Sequence, residues 1–396
     1  IPFRDAIKER LTELWNYPKE SAPTKKGDWF YFSRNDGLQN QSVIYRRATP
    51  EAEAEVFLDP NKLSDDGTVA LAATSFSKDG KYFAYATAAS GSDWVEIRVM
   101  ETESKRLLDD RIEWVKFSGA TWAPDGKGFY YSAYDAPKKG VYSSKNEFQK
   151  VYYHKIGTPQ SADRLVYSDP EHPLRYFNAW QSDDSRWIFI MSSEGTSGSE
   201  ILYKRSNARK FDVLLKGFEH DYGIVECEDD QLYVMTNEGA ENYHLIKIDL
   251  KDPSKREVVI PEKENLLEGV GSAGGCLTAI YLEDAQNKVY QYEMDGKLIR
   301  EVALPGIGTV SGFGGEKEDT ELYYSISTFT APTAIYSFDV KSGESKLYMR
   351  PEVAFNPDDF TTEQIFFTSK DGTRVPMFVS YKKGLKLNGK NPCYLY

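Results

Sequence analysis

Apolar and polar residues alternate along this chain in short, strand-length runs, and the runs come in groups of four. The clearest line of the repeat is Phe76-Ser77-Lys78-Asp79-Gly80-Lys81-Tyr82-Phe83-Ala84-Tyr85, answered by Trp122-Ala123-Pro124-Asp125-Gly126-Lys127-Gly128-Phe129-Tyr130-Tyr131. Weaker copies centre on Gly27-Asp28, Asp184-Ser185, Asp229-Asp230, Gly274-Gly275 and Asp319-Thr320. The seven centres recur at intervals of roughly 45–59 residues. A period of that size with tight turns and β-rich flanks marks propeller blades.

Each centre joins a first strand to a second. Third strands are predicted at 43–46, 95–99, 151–154, 201–204, 245–248, 289–292 and 335–338. Fourth strands are predicted at 55–58, 105–108, 164–167, 212–215, 257–260, 299–302 and 346–349. Proline follows five of these, at Pro60, Pro170, Pro261, Pro305 and Pro351, where a missing donor limits strand extension. First strands are rich in small residues, as in Gly269-Val270-Gly271-Ser272-Ala273. Asp-Gly is expected to form a two-residue hairpin, because such turns need positive φ. Valine at Gly80 or Gly126 then costs about 1–2 kcal/mol. Every blade reads from contiguous sequence. The expectation is a seven-bladed, all-β propeller of four-stranded antiparallel blades with no swapped closing strand, blades one and seven meeting through apolar packing.

The two ends depart from the repeat. Residues 2–16 read as a helix with Phe3, Ile7, Leu11, Leu14 and Trp15 on one face, a Pro2 start and a Pro18 stop. That stripe must pack on the propeller rim or on a second domain. Residues 360–367 and 375–381 read as strands around the turn Lys370-Asp371-Gly372-Thr373, and Cys393-Tyr394-Leu395-Tyr396 as a buried strand severed at its start. The organisation expected is an interdomain helix at 1–18, a propeller at 19–352 and the first strands of an incomplete domain at 353–396.

Composition narrows the function. With 27 Tyr, 21 Phe and 7 Trp the chain favours strands. Its net charge of −12 argues against a nucleic-acid partner, which requires a positive footprint. No apolar run approaches the roughly 18 residues of a membrane span. Cys227, Cys276 and Cys393 form no CxxC, so neither zinc nor a disulfide framework is indicated, and buried thiols are expected at Cys227 and Cys276. The chain starts at Ile1 with no signal peptide, as a fragment or processed product would, and its compartment, cytoplasmic or periplasmic, is left open.

Catalytic patterns are scarce. Gly195-Thr196-Ser197-Gly198-Ser199 has its serine out of place for a nucleophile elbow and falls between two strands of one blade. His154, His172, His220 and His244 form no metal or base motif and are read as structural or solvated. Asp109-Asp110 and Asp183-Asp184 do not continue as calcium loops and are read as turn acids. Asn40-Gln41-Ser42 matches a glycosylation acceptor. No cofactor and no metal are expected.

Several strings are more specific. Ile1-Pro2-Phe3-Arg4-Asp5, Leu14-Trp15-Asn16-Tyr17-Pro18, Asn35-Asp36-Gly37-Leu38-Gln39-Asn40-Gln41-Ser42, Val56-Phe57-Leu58-Asp59-Pro60-Asn61, Gly312-Phe313-Gly314-Gly315 and the Ser369–Thr373 turn before Val375-Pro376-Met377 resemble the prolyl oligopeptidase family across essentially the whole chain. The resemblance implies an α/β-hydrolase serine peptidase capped by a seven-bladed propeller, monomeric when intact, with residues 353–396 as the first strands of the incomplete α/β-hydrolase domain. Such a peptidase cleaves short peptides after proline by acylating a serine activated by histidine and aspartate. It also implies that the chain enters the family's Tyr-Gly-Tyr-Gly-Gly-Phe run at Tyr396, two residues before the oxyanion tyrosine. The triad lies further on, so no catalytic residue is placed on this sequence. The partners implied are short proline-containing peptides and the protein's own hydrolase domain. The alternative is a stand-alone propeller scaffold for protein partners, a reading that leaves residues 359–396 without a use.

Overall fold

The computed structural model describes residues 2–137 and 145–396; Ile1, which opens the family-like N-terminal string, lies outside the described residues. The chain divides into two compact units, Pro23–Glu264 and a second made of the stretch to Ala22 with Asn265–Tyr396.

Among the described residues seven four-stranded antiparallel blades follow one another, each from contiguous sequence. Five belong to the first unit. Blade one is Thr24–Lys26, Trp29–Asn35, Val43–Arg47 and Glu55–Leu58. Blade two is Val69–Phe76, Tyr82–Ala89, Val95–Glu101 and Leu107–Val115. Blade three is Thr121–Trp122, Gly128–Ala133, Lys150–Lys155 and Arg164–Ser168. Blade four is Tyr176–Gln181, Trp187–Ser193, Glu200–Arg205 and Asp212–Leu215. Blade five is Tyr222–Glu228, Gln231–Thr236, His244–Asp249 and Arg256–Ile260. In the other unit, blade six is Leu266–Ala273, Cys276–Glu283, Gln286–Tyr292 and Leu298–Glu301. Blade seven is Gly308–Gly314, Glu321–Thr328, Ala334–Asp339 and Ser345–Met349.

The core sits between blades rather than inside any one of them. Phe83 and Tyr85 of blade two pack with Tyr31 and Phe57 of blade one. Ile97 and Ile112 pack with Phe129 and Tyr131 of blade three. Trp187 and Phe189 of blade four pack with Leu232 and Val234 of blade five. Val289 of blade six packs with Phe313, Tyr324 and Phe338 of blade seven. A second strand therefore has apolar neighbours on both faces, and all six residues of Gly128–Ala133 are buried. That is why these strands read as near-continuous apolar runs instead of clean alternation.

Turn chemistry departs from the expectation at Asp-Gly. Two-residue hairpins with positive φ occur at Asp229-Asp230, Gly274-Gly275 and Asp284-Ala285. At Asp79-Gly80 the loop is longer. Ser77 N–H donates to Tyr82 O at 2.9 Å, and Gly80 N–H to Ser77 O at 2.9 Å. Asp79 Oδ1 accepts from Ser77 Oγ at 2.6 Å and from the Lys81 amide at 3.1 Å. Ser182–Trp187 closes in the same way around Asp184. The aspartate is chosen to fold the loop with its side chain. Gly80, at φ +70°, also abuts blade one: a Cβ there would lie 2.6 Å from Gly27 N. The cost of valine at Gly80 therefore exceeds the left-handed penalty alone.

Blade two also differs. Lys105 takes φ +56° in a turn, so its fourth strand starts at Leu107, not 105, and runs on to Val115. Val115 pairs with both Val95 of blade two and Ala133 of blade three, so the two blades form one sheet. Blade three's own first strand is consequently only Thr121–Trp122. Asp109-Asp110 lies in this long strand, not in a turn.

The N-terminal helix spans Arg4–Trp15, shorter at both ends than 2–16, and none of its residues is buried. Lys19 Nζ caps it by donating to Trp15 O at 2.7 Å. Phe360–Thr368 and Arg374–Lys382 pair as the expected hairpin. Cys393–Tyr396 is neither a strand nor buried. A strand needs a hydrogen-bonding partner, and among the described residues this run pairs with no strand.

Candidate functional site

The motif residues land apart from one another. Gly195–Ser199 is a loop between the second and third strands of blade four, and a side chain at Gly198 would meet Phe218 O at 1.9 Å. His172 is exposed and bonded to Asp169 at 2.9 Å. His220 and His244 are half-buried, and His244 Nε2 has no hydrogen-bond partner. Burial lowers the pKa of His244. Among the described residues no histidine nitrogen is bonded to a serine hydroxyl or a thiol, and no group of side chains is arranged to hold a metal ion. Cys227 is buried, which pushes its thiol up to about 12, whereas Cys276 is half-buried and Cys393 exposed. Asp183 pairs with Lys78 and Asp184 with Arg186. Asn40 is exposed in a blade-one loop.

His154 is the exception in geometry. It is fully buried, with Nδ1 2.7 Å from Asp163 Oδ1 and Nε2 2.8 Å from Asp110 Oδ1. Asp110 also accepts the Gly157 amide at 2.6 Å, and Asp163 accepts Tyr131 Oη–H at 2.7 Å. Burial works against a charge on His154, but the two carboxylates outweigh it and push its pKa up to about 9. Burial likewise opposes the Asp110 charge, and the His154 and Gly157 donors override it and hold that carboxyl below its usual range. An imidazolium pinned by two carboxylates has no free nitrogen to act as a base. The cluster ties blade two to blade three. Asp230 does the same for blades four and five, accepting Trp187 Nε1–H at 2.8 Å and pairing with Arg186 at 2.9 Å and Lys251 at 2.7 Å. Sequence reading missed both clusters. A signal existed: the partners lie 44 and 43 positions apart, one repeat.

What remains for function is surface. The hairpin 360–382 is fastened to blade six: Gln286 Nε2 donates to Gln364 Oε1 at 2.9 Å, Gln364 Nε2 to Asp284 O at 2.5 Å, and Arg374 pairs with Asp284 at 3.1 Å. Phe378 packs on Phe329 of blade seven, ring centres 4.9 Å apart. Beyond these anchors the same unit exposes Ile365, Phe366 and Phe367, and the helix exposes Phe3, Ile7, Leu11, Leu14 and Trp15. So many large apolar groups on short elements mark an interaction surface.

Residues 1–351 match the family described as prolyl oligopeptidase, N-terminal β-propeller domain. The prolyl endopeptidase of Elizabethkingia meningoseptica is 44% identical over 400 residues, covering 100% of this chain and 56% of that protein. The dual function macrocyclase-peptidase POPB of Galerina marginata is 31% identical, covering 97% of this chain and 57% of that protein. Among solved structures, a prolyl endopeptidase studied for inter-domain dynamics aligns with TM-score 0.88 at 32% identity, over 97% of this chain and 57% of that one. Prolyl oligopeptidase B from Galerina marginata, bound to a 25mer macrocyclization substrate, aligns with TM-score 0.88 at 30% identity, over 97% and 58%. The chain thus spans just over half the length of these relatives.

Proposed function

The chain belongs to the prolyl oligopeptidase family, and we propose that it is the propeller-bearing part of a prolyl endopeptidase that cleaves short peptides after proline. The observation that carries this is 44% identity to a prolyl endopeptidase over the full length of the chain. The acylating serine, its histidine and aspartate, and the oxyanion tyrosine would be supplied by residues outside these 396. The propeller's role would then be to cover that site and admit peptides but not folded proteins. The structures of a relative bound to 25mer and 35mer substrates support peptides as partners. The helix would dock on the protein's own hydrolase domain, of which residues 353–396 would be the first strands, and the whole would act as a monomer without a cofactor.

A stand-alone scaffold is disfavoured because the hairpin 360–382, with its three polar anchors on blade six, serves no purpose in one. Purified residues 1–396 should leave a Gly-Pro-type chromogenic reporter uncut over hours. Cleavage by rigorously pure material would place a catalytic group in this chain and end the proposal.

A further inference from the structure

Blade two carries a crevice of about 420 Å³ whose walls include Tyr85, Trp94, Glu96, Arg98, Glu113 and Trp114. That volume is within the range of small-ligand sites. Its chemistry is specific. Glu96 is committed to Arg111, which reaches Oε2 through Nε at 2.8 Å and Nη2 at 2.7 Å. Arg98 is left with one long contact, Nη1 to Glu96 Oε1 at 3.3 Å, and its Nε is buried with no acceptor. Nε itself is closed to a ligand, but the Nη1–Nη2 edge of a guanidinium suits a planar oxyanion, which it binds through two parallel bonds.

Beside it stands a fixed apolar wall. The Trp94 and Trp114 rings meet edge to face at 6.0 Å. Trp94 is braced on its other sides by Tyr134 at 5.8 Å and by the Lys116 ammonium at 5.2 Å. Trp114 holds φ +62°, a left-handed conformation that costs a bulky residue energy and clusters at ligand sites. Glu113, whose Oε1 pairs with Arg111 at 3.0 Å, brings a second carboxylate oxygen to the lining as an acceptor.

We propose that this crevice binds the C-terminal end of a peptide, with the terminal carboxylate on Arg98, the last side chain on the Trp94–Trp114 wall and a backbone N–H on Glu113. The choice of a peptide as ligand rests on the reading of the protein as a peptidase.

Titration calorimetry on the whole protein tests it with Gly-Gly-Phe, which has no proline to cleave. The free acid should bind about tenfold more tightly than its C-terminal amide, the factor expected for one charge-assisted paired contact. Arg98→Gln should erase that difference with the melting temperature unchanged, and Arg98→Lys should keep part of it. Trp94→Leu removes no charge and should weaken acid and amide alike, which keeps the test decisive if Arg98→Gln melts early. Equal affinity for acid and amide, or an Arg98→Gln protein that binds like wild type, would overturn the proposal. Gly-Glu-Phe amide binding as tightly as the Gly-Gly-Phe acid would overturn the assignment to a terminus. Binding here needs no cleavage. A protein that passes these titrations but never cuts proline peptides fails as a peptidase and not as a carboxylate binder; the reverse result separates them equally.

Discussion

His154→Ala should destabilise the unit Pro23–Glu264 by about 3–5 kcal/mol, the cost of leaving buried charge uncompensated. Asp110 and Asp163 would then face each other across the vacated imidazole with nothing to neutralise them. For a unit of this size the melting temperature should fall by about 10 °C. The pH dependence has a definite sign. The folded His154 pKa, about 9, lies above the ordinary histidine value near 6.5, so the folded state holds this proton more tightly than the unfolded chain. Its stabilisation is complete below about pH 6.5 and fades as pH rises through 9. Asp110 is displaced downward, so its share is present above the usual carboxylate range and is lost in acid. Thermal melts across pH 5–10 should show wild-type stability dropping on the alkaline side and the alanine variant lacking that drop. Parallel curves for the two proteins would mean that His154 is buried neutral.

The second large effect concerns the N-terminal helix. Leu11 and Trp15 are exposed, at 49% and 59%, on a helix that buries no residue. If they dock on a hydrolase domain, each contributes roughly 1.5–3 kcal/mol of burial there and nothing to the blades. Leu11→Glu with Trp15→Glu should therefore leave the melting of residues 1–396 unchanged. In the longer peptidase the same pair should lower kcat/KM by about 100-fold, because misplacing the two parts by about 1 Å suffices for that loss. Unchanged kcat/KM in the longer protein would remove the helix from the interdomain contact.

Most strands were legible in the sequence because turn residues punctuate it at a near-constant period. The third strands from Val43–Arg47 to Ala334–Asp339 enclose the segments expected of them. Less legible were features decided by a neighbour rather than by the local run. Val115 joins two blades into one sheet because Ala133 lies beside it, and no pattern in residues 105–121 announces that. A register shift between third and fourth strands recurs in all seven blades, as at Ile44/Tyr45 and Ile335/Tyr336, where an extra residue sharpens the twist. It leaves the apolar alternation too slightly altered to read. Cys393–Tyr396 has the composition of a core strand but pairs with no strand among the described residues, and composition alone does not supply a partner. For the site, the lack of a motif was readable and the crevice was not. Tyr85, Arg98 and Trp114 come from three strands whose register brings them to one cavity.

Whether the propeller filters substrates is decided by comparing two substrates with one enzyme. The longer protein that carries these 396 residues is incubated with a short peptide containing a single Gly-Pro site and with a folded protein displaying the same site on an exposed loop. Cleavage is followed by mass spectrometry. Rapid cutting after proline in the peptide and an intact folded protein are expected. Equal rates on both substrates would contradict the filter role, because the propeller would then exclude nothing.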